Sequence, residues 1–312
     1  DNIGLMHIVH FEVDDKFAPH FRESKYPWPV NEKTVKRIKN SALIDVVTVK
    51  SGSSLTAITL KRLPALKGIM ARTVGVNNID LDYCRQKQIA VYHIPDYGSF
   101  AIAEHVFALI LAKARKIIDL QVDIKQGKFQ YTKGQGFTLQ HKTIGIIGVG
   151  KIGKEVAKIA HGFQMRILGF DVKKDRSFAL RAGLKYLDLD VLLAEADFIY
   201  INVNLNPNTF HLIDEVNIKK MKTGVVLINV SRGEVIDTQS LLKQIHKFRF
   251  VGLDVIEGET EFSKNNQLLK YDNILITPHV AFFTDRTTTE IATITNRNIQ
   301  YFLDGKQTNR VV

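Results

Sequence analysis

Cysteine is all but absent, with Cys84 the one thiol in 312 residues. A single cysteine closes no intramolecular disulfide and builds no thiolate cluster, so a metal-free protein of the reducing cytoplasm is expected. The stretch around it, 80–87, reads as a plain helix, which makes the thiol a core side chain. Long apolar runs are missing too. The strongest, 106–112, falls far short of the roughly 20 residues that a membrane-spanning helix requires, so no membrane partner is expected. The opening residues lack the basic, apolar and small-residue order of a signal peptide. No internal repeat or low-complexity tract occurs, which sets aside solenoid architectures. Acidic residues are in deficit: 43 Lys and Arg face 32 Asp and Glu, for a net charge of +11. The basic side chains are scattered rather than gathered in a stripe, so nucleic acid is not an expected partner. The excess charge reads as solvated surface that also steers anionic ligands.

What is present is the balance of a soluble globular chain, 45% hydrophobic and 24% charged, and long enough for two domains. Over the first part, strand-like segments 7–11, 44–49, 68–71 and 89–94 alternate with helical runs at 32–40, 55–63 and 79–87. Such alternation predicts an α/β parallel sheet with helices on its faces. A long apolar helix over about 100–120 leaves this unit, and a polar loop follows at 125–136. A second alternation then offers six strands, 143–147, 166–170, 198–202, 225–230, 250–254 and 273–276. That is the complement of a dinucleotide-binding sheet. The final segment, 285–303, spaces Ile291, Ile294, Ile299 and Phe302 as one helical face. With no strand after it, this helix is expected to pack back onto the first domain.

Gly148-Val149-Gly150-Lys151-Ile152-Gly153 follows the first strand of the second set and opens a helix. Glycine spacing alone is a weak signal, but this context is the one a pyrophosphate needs. Gly148 makes the tight turn, Gly150 lets the backbone approach the ligand, and Gly153 lets helix and strand pack closely. The helix N-terminus then offers free N–H groups to the phosphates. At the end of the next strand, Asp171 can accept the ribose hydroxyls of NAD and repel the extra phosphate of NADP, although Lys173, Lys174 and Arg176 lie just beyond.

Three further polar groups follow strand ends of the same sheet. Arg232, in Asn229-Val230-Ser231-Arg232-Gly233, has the planar fork that suits a carboxylate beside a carbonyl. Glu257, Glu259 and Glu261 follow Gly252-Leu253-Asp254-Val255, and His279 follows Thr277-Pro278. Ligands of open α/β sheets bind at carboxyl ends of strands. An Arg, an acid and a His placed there in succession are expected to share one crevice.

These motifs, with Thr73-Val74-Gly75-Val76-Asn77-Asn78-Ile79-Asp80, Ala103-Glu104-His105, Leu253-Asp254-Val255 and Pro278-His279, resemble the D-isomer-specific 2-hydroxyacid dehydrogenases along 6–306. The resemblance implies an NAD-binding Rossmann domain, 99–282, inserted into a flavodoxin-like substrate (catalytic) domain of 1–98 plus 283–312. It implies that Arg232 binds substrate, that His279 is the acid/base, and that Glu259, five residues after Asp254, is its paired acid. Backbone N–H groups of Val74 and Gly75 would hold the substrate carboxylate. Tyr97 would face the substrate, as in the D-lactate dehydrogenase branch. Besides the glycine loop with Lys151 and Ile152, it places Asp171, Val203, Thr209, Val230 and Asp254 at the cofactor. The helix over 100–120 is where members form homodimers.

The chain departs from the family at Asn202-Val203-Asn204, commonly His-Val-Pro, and at Thr260, commonly Pro. The expected chemistry is hydride transfer between NADH and a small 2-oxo acid such as pyruvate, with a carboxylate beside His279 favouring the protonated ring. Glyoxylate, hydroxypyruvate and phosphoglycerate enzymes share all these motifs. The loop 50–56 lacks the arginine pair of the phosphoglycerate enzymes. Phe282 and Phe283 suggest an apolar pocket for a small uncharged side chain. NAD-sensing corepressors of the same fold are the alternative outside catalysis.

Overall fold

A computed structural model describes residues 6–12 and 22–312. The chain divides into two compact units, one comprising the segment up to Gly98 together with Thr284–Val312, the other Ser99–Phe283.

The first unit is a five-stranded parallel sheet of β1 (His7–Phe11), β2 (Arg22–Tyr26), β3 (Val46–Val49), β4 (Gly68–Ala71) and β5 (Ala90–Tyr92), in the order β2-β1-β3-β4-β5. This is the flavodoxin-like order. Strands β1, β3, β4 and β5 are buried throughout, as parallel strands covered on both faces must be. Strand β2 was not expected, because Arg-Glu-Ser-Lys-Tyr shows no apolar pattern. It is an edge strand, held by pairing with β1 and by Tyr26, which stacks on Phe11 with ring centroids 5.5 Å apart and meets the tilted Trp28 ring at 4.6 Å.

Two expected helices shrink. The run 32–40 forms only a 3-10 turn, Val35–Arg37, because the Asn31 side chain accepts the Lys33 and Thr34 N–H groups, both at 3.0 Å, and diverts the backbone. The run 55–63 is helical over Ala57–Leu60, and Pro64 disfavours helix at the residue before it. The helix Asp285–Leu303 belongs to this unit, and Ile299 packs with Ile8, Val46, Met70 and Tyr92. The tail beyond it pairs with β5. Val311 N–H donates to Val91 O at 2.7 Å and Val91 N–H to Val312 O at 3.1 Å, which covers a sheet edge.

The second unit is a seven-stranded parallel sheet: β6 (Thr143–Ile147), β7 (Arg166–Phe170), β8 (Leu184–Tyr186), β9 (Phe198–Ile201), β10 (Val225–Asn229), β11 (Phe248–Leu253) and β12 (Ile274–Ile276). The order β12-β11-β10-β9-β6-β7-β8 is the Rossmann order, with the switch point between β6 and β9. The count corrects the expected six: β8 is three residues with Lys185 exposed, too short to show a period. Alternate residues divide between two cores. Ile144, Ile146, Phe198 and Tyr200 face one layer of helices, while Ile147, Ile199 and Ile201 face the other.

The helix expected over 100–120 is two, Ser99–Ala114 and Ile117–Lys125, with Lys116 left-handed between them at φ 54°. Phe137 N–H takes the Ala114 carbonyl at 3.0 Å, so the helix ends where the following loop docks. Among the described residues, no helix is long and apolar enough to cross a membrane.

Candidate active site

The glycine loop joins β6 to the helix Lys151–Gly162. Gly148 sits at φ 95°, and a Cβ there would overlap the Asn202 carbonyl; one at Gly153 would overlap the Gly148 carbonyl. Gly150 faces open space, so its backbone is the part of the loop a ligand can approach. Asn202 braces the loop. Its Nδ2 donates to Gly148 O at 3.2 Å while Oδ1 accepts from Tyr200 Oη at 3.0 Å, which gives the departure from the family's His a structural use. Val203 packs beside Gly148. Asp171 lies against the same loop, its Oδ2 accepting from Val149 N at 2.7 Å and its Oδ1 from Lys173 N at 2.8 Å. Lys151 and Ile152 begin the helix, Ile152 against the core. These groups fit a dinucleotide: an open backbone, a helix N-terminus and a fixed carboxylate.

Thr209 and Val230 are both half-buried. The Thr209 hydroxyl donates to Asn204 O at 2.6 Å, and Val230 packs on the core.

Arg232 follows β10 in a turn templated by Asn229, a fully buried side chain that sequence reasoning left without a role. Its Oδ1 accepts from the Ser231 N–H and hydroxyl at 3.0 and 2.8 Å, and its Nδ2 donates to Arg232 O at 2.8 Å. The Arg232 guanidinium donates to Ser231 O at 2.7 Å. At Gly233 the chain crosses Ile256, and a Cβ would overlap that residue's carbonyl carbon and oxygen. Gly233→Ala is therefore expected to cost about 2 kcal/mol through overpacking. For a unit of this size that is a fall of about 6 °C in Tm, read in a thermal melt; an unchanged Tm would show that the crossing relaxes freely.

The three acids separate by their partners. Glu257 Oε1 pairs with His211 Nε2 at 2.6 Å and Oε2 accepts the Thr238 N–H at 2.9 Å. With Asp237 these groups form a half-buried cluster, but the Asp237 carboxylate already caps a helix through Gln239, Ser240 and the Ser240 hydroxyl. Glu259 lies in a 3-10 turn after left-handed Gly258, with Oε1 3.1 Å from His279 Nδ1. The hydrogen bond with His279 holds the Glu259 carboxyl below the usual carboxylate range against the opposing effect of burial, helped by the charges of His279 and Arg232. Glu261 lies outside this pairing and is exposed.

His279 itself takes φ 54°, a strained conformation for a non-glycine residue. Its N–H donates to Asp254 O at 2.9 Å, and the buried Asp254 carboxylate accepts from Val280 N at 3.0 Å, Ala281 N at 2.8 Å and Thr277 Oγ1 at 2.5 Å. Asp254 thus holds the loop on which His279 stands. Phe282 meets the His279 ring edge-on at 6.4 Å between centroids.

In the other unit, Val74 is exposed after β4, and its carbonyl is 2.9 Å from His93 Nδ1. The Thr73 hydroxyl donates to Gly75 O at 2.6 Å, and Tyr97 is half-buried near the end of that segment.

Comparison with known proteins bears on the same elements. Residues 107–281 match the family described as D-isomer specific 2-hydroxyacid dehydrogenase, NAD binding domain. A D-3-phosphoglycerate dehydrogenase of Methanocaldococcus jannaschii is 35% identical over 284 residues, 90% of this chain and 53% of that protein. The chain thus spans about half the length of the first curated relatives it matches. The D-lactate dehydrogenase of Escherichia coli is 31% identical over 309 residues, 95% of this chain and 93% of that one. Among solved structures, D-lactate dehydrogenase from Aquifex aeolicus complexed with NAD and lactic acid superimposes with a TM-score of 0.83 at 32% identity, covering 97% of each chain.

Proposed function

We propose that this chain, which belongs to the D-isomer-specific 2-hydroxyacid dehydrogenase family, reduces a small 2-oxo acid to the D-2-hydroxy acid with NADH, in the manner of a D-lactate dehydrogenase. The observation that carries this reading is the Glu259–His279 pair, 3.1 Å apart in the unit that holds the glycine loop.

Bound NADH supplies the hydride for the carbonyl carbon. An ionised carboxylate only accepts hydrogen bonds, so His279 Nδ1 carries the proton shared with Glu259, and Nε2 is the nitrogen turned to substrate. In reduction, Nε2–H donates its proton to the carbonyl oxygen as hydride arrives. Arg232 pairs with the substrate carboxylate and polarises the carbonyl, which stabilises the alkoxide as charge develops. Val74 and Gly75 are assigned the substrate carboxylate through their N–H groups. Tyr97, Phe282 and Phe283 are assigned its apolar side chain.

The test follows NADH absorbance while pyruvate, branched and aromatic 2-oxo acids, glyoxylate, hydroxypyruvate and its phosphate are offered in turn. Oxidation with pyruvate or a close homologue is the expected result, with D-lactate as product. Tight NADH binding without oxidation of any of them would sink the enzymatic reading in favour of a binding role. Preference for the phosphorylated acid would move the substrate assignment toward the Methanocaldococcus relative.

A homodimer in the cytoplasm completes the proposal. The buried thiol of Cys84, pushed up to about 11 mainly by burial, suits a reducing compartment as a core side chain. Ile117, Ile118, Val122 and Ile124 are exposed on one short helix, an apolar face that a second copy would cover. Light scattering after size exclusion reads the mass directly, and a monomer at micromolar concentration would remove the dimer.

A further inference from the structure

Asp254 raises a question that the proposed chemistry does not answer. Its carboxylate is 2% exposed, and a buried carboxylate is costly unless hydrogen-bonded or paired. Two of its bonds come from the backbone N–H groups of Val280 and Ala281, on the carboxyl side of His279, and a third from the Thr277 hydroxyl on the other side. Beyond that hydroxyl stands His105, on the helix Ser99–Ala114, with Nε2 3.0 Å from Thr277 Oγ1 and 3.6 Å from Asp254 Oδ1.

The protons can be assigned. An ionised carboxylate cannot donate, so the single Thr277 hydroxyl proton points to Asp254. Oγ1 must then accept from His105, which places a proton on His105 Nε2. His105 is thus the outer end of a chain of hydrogen bonds, His105 to Thr277 to Asp254 to the backbone of 280 and 281, that brackets the strained residue His279. No titratable side chain other than His105 is paired with the Asp254 carboxylate among the described contacts.

We propose that His105 is a positioning residue for His279, acting through Thr277 and Asp254 rather than on substrate or cofactor. Removing the imidazole frees the Thr277 hydroxyl to rotate, weakens the Thr277–Asp254 bond, and loosens the loop that keeps His279 at its left-handed angle. An off-geometry acid loses rate steeply while leaving binding in place, because the glycine loop proposed to hold the dinucleotide is untouched by the substitution.

This rests on His279 as the acid of the proposed reaction, so the test has a catalytic arm and an arm independent of turnover. In the first, His105→Leu is expected to lower kcat about tenfold or more with NADH affinity within about twofold. His105→Gln, whose amide N–H reaches as the ring does, is expected to recover most of the loss. In a Thr277→Val background, His105→Leu should add little, because the chain is already cut. An unchanged kcat in His105→Leu, no recovery by His105→Gln, or an equal loss in both backgrounds would each overturn the proposal.

In the second arm, the His279 imidazole nitrogens are observed by NMR of histidine-labelled protein and assigned by their disappearance in His279→Gln. The signals are expected to shift in His105→Leu and return in His105→Gln; signals indifferent to both substitutions would overturn it. If the unsubstituted protein turns over none of the oxo acids, the enzymatic reading fails by itself, and this arm still decides the positioning.

Discussion

His279→Gln is expected to reduce oxo-acid turnover about a thousandfold, the usual worth of a positioned general acid, while NADH binding is retained. The choice of glutamine isolates the chemistry. Its amide stands about where Nε2 stands, so a polar group that takes up no proton replaces the ring beside Glu259, whose partner Nδ1 lies 3.1 Å away, and the loop is still held through the backbone of Asp254 rather than through the ring. What the amide cannot do is surrender a proton to a developing alkoxide. Loss of rate with cofactor affinity intact therefore assigns the acid to residue 279; a variant that keeps a tenth of the activity would remove it from that role.

Glu259 sharpens the comparison. Its carboxyl is held below the usual range, first by the hydrogen bond with His279. A depressed carboxylate delivers its stabilisation above its ordinary pKa, near 4.3, and loses it only as pH falls through the lowered value. Glu259 thus stays ionised across neutral pH, and Glu259→Gln should cost less than His279→Gln because it alters an environment and leaves the transferred proton in place.

Much of this site could be seen in the amino-acid order because strand ends are legible. Buried parallel strands are runs of β-branched and aromatic residues, and Arg232 and His279 stand directly after two of them, so their side of the sheet follows from topology. The acid was harder. Glu257, Glu259 and Glu261 alternate in an irregular turn where no period fixes direction, and only the family spacing selected one. In the fold they separate by hydrogen bonds: His211 and Thr238 take Glu257, leaving Glu259 for His279. Asp254 shows the opposite difficulty. Its strand-end position suggests a ligand contact, but not that its oxygens accept from Thr277, Val280 and Ala281, residues more than twenty positions away that composition does not connect to it. The missed elements share a cause as well. Strand β2 is polar because it is an edge, and β8 is too short for a pattern. The break at Lys116 carries neither Gly nor Pro, since the docking of Phe137, not a local breaker, ends that helix.

Acid is expected to destabilise the first unit well before its carboxylates titrate, through His10. This side chain lies buried on one face of the sheet, with Nδ1 3.0 Å from the hydroxyl of Thr48, its register partner on β3, and is 1% exposed. Burial first, then the charges of Arg72 and Lys25, lower its pKa to about 4. An unfolded histidine titrates near 6.5, so between about pH 6.5 and 4 the unfolded chain binds a proton that the folded one refuses. Stability then rises with pH across that window: it is fully present above 6.5 and drains away as pH falls toward 4. The difference amounts to about 3 kcal/mol, a large share of the roughly 5–15 kcal/mol that holds a domain folded. Trp28, the only tryptophan, lies in this unit against Tyr26, so its fluorescence during urea unfolding reports this unit selectively. The urea midpoint should fall steadily from pH 7 to pH 4.5 in the unsubstituted protein. In His10→Asn, whose amide can still reach Thr48 but takes up no proton, the midpoint should stay nearly level over the same range. Equal slopes in the two proteins would transfer the acid sensitivity to other groups. A level midpoint in the variant would identify one buried imidazole, remote in sequence from every proposed catalytic residue, as what sets the lower pH limit of the fold.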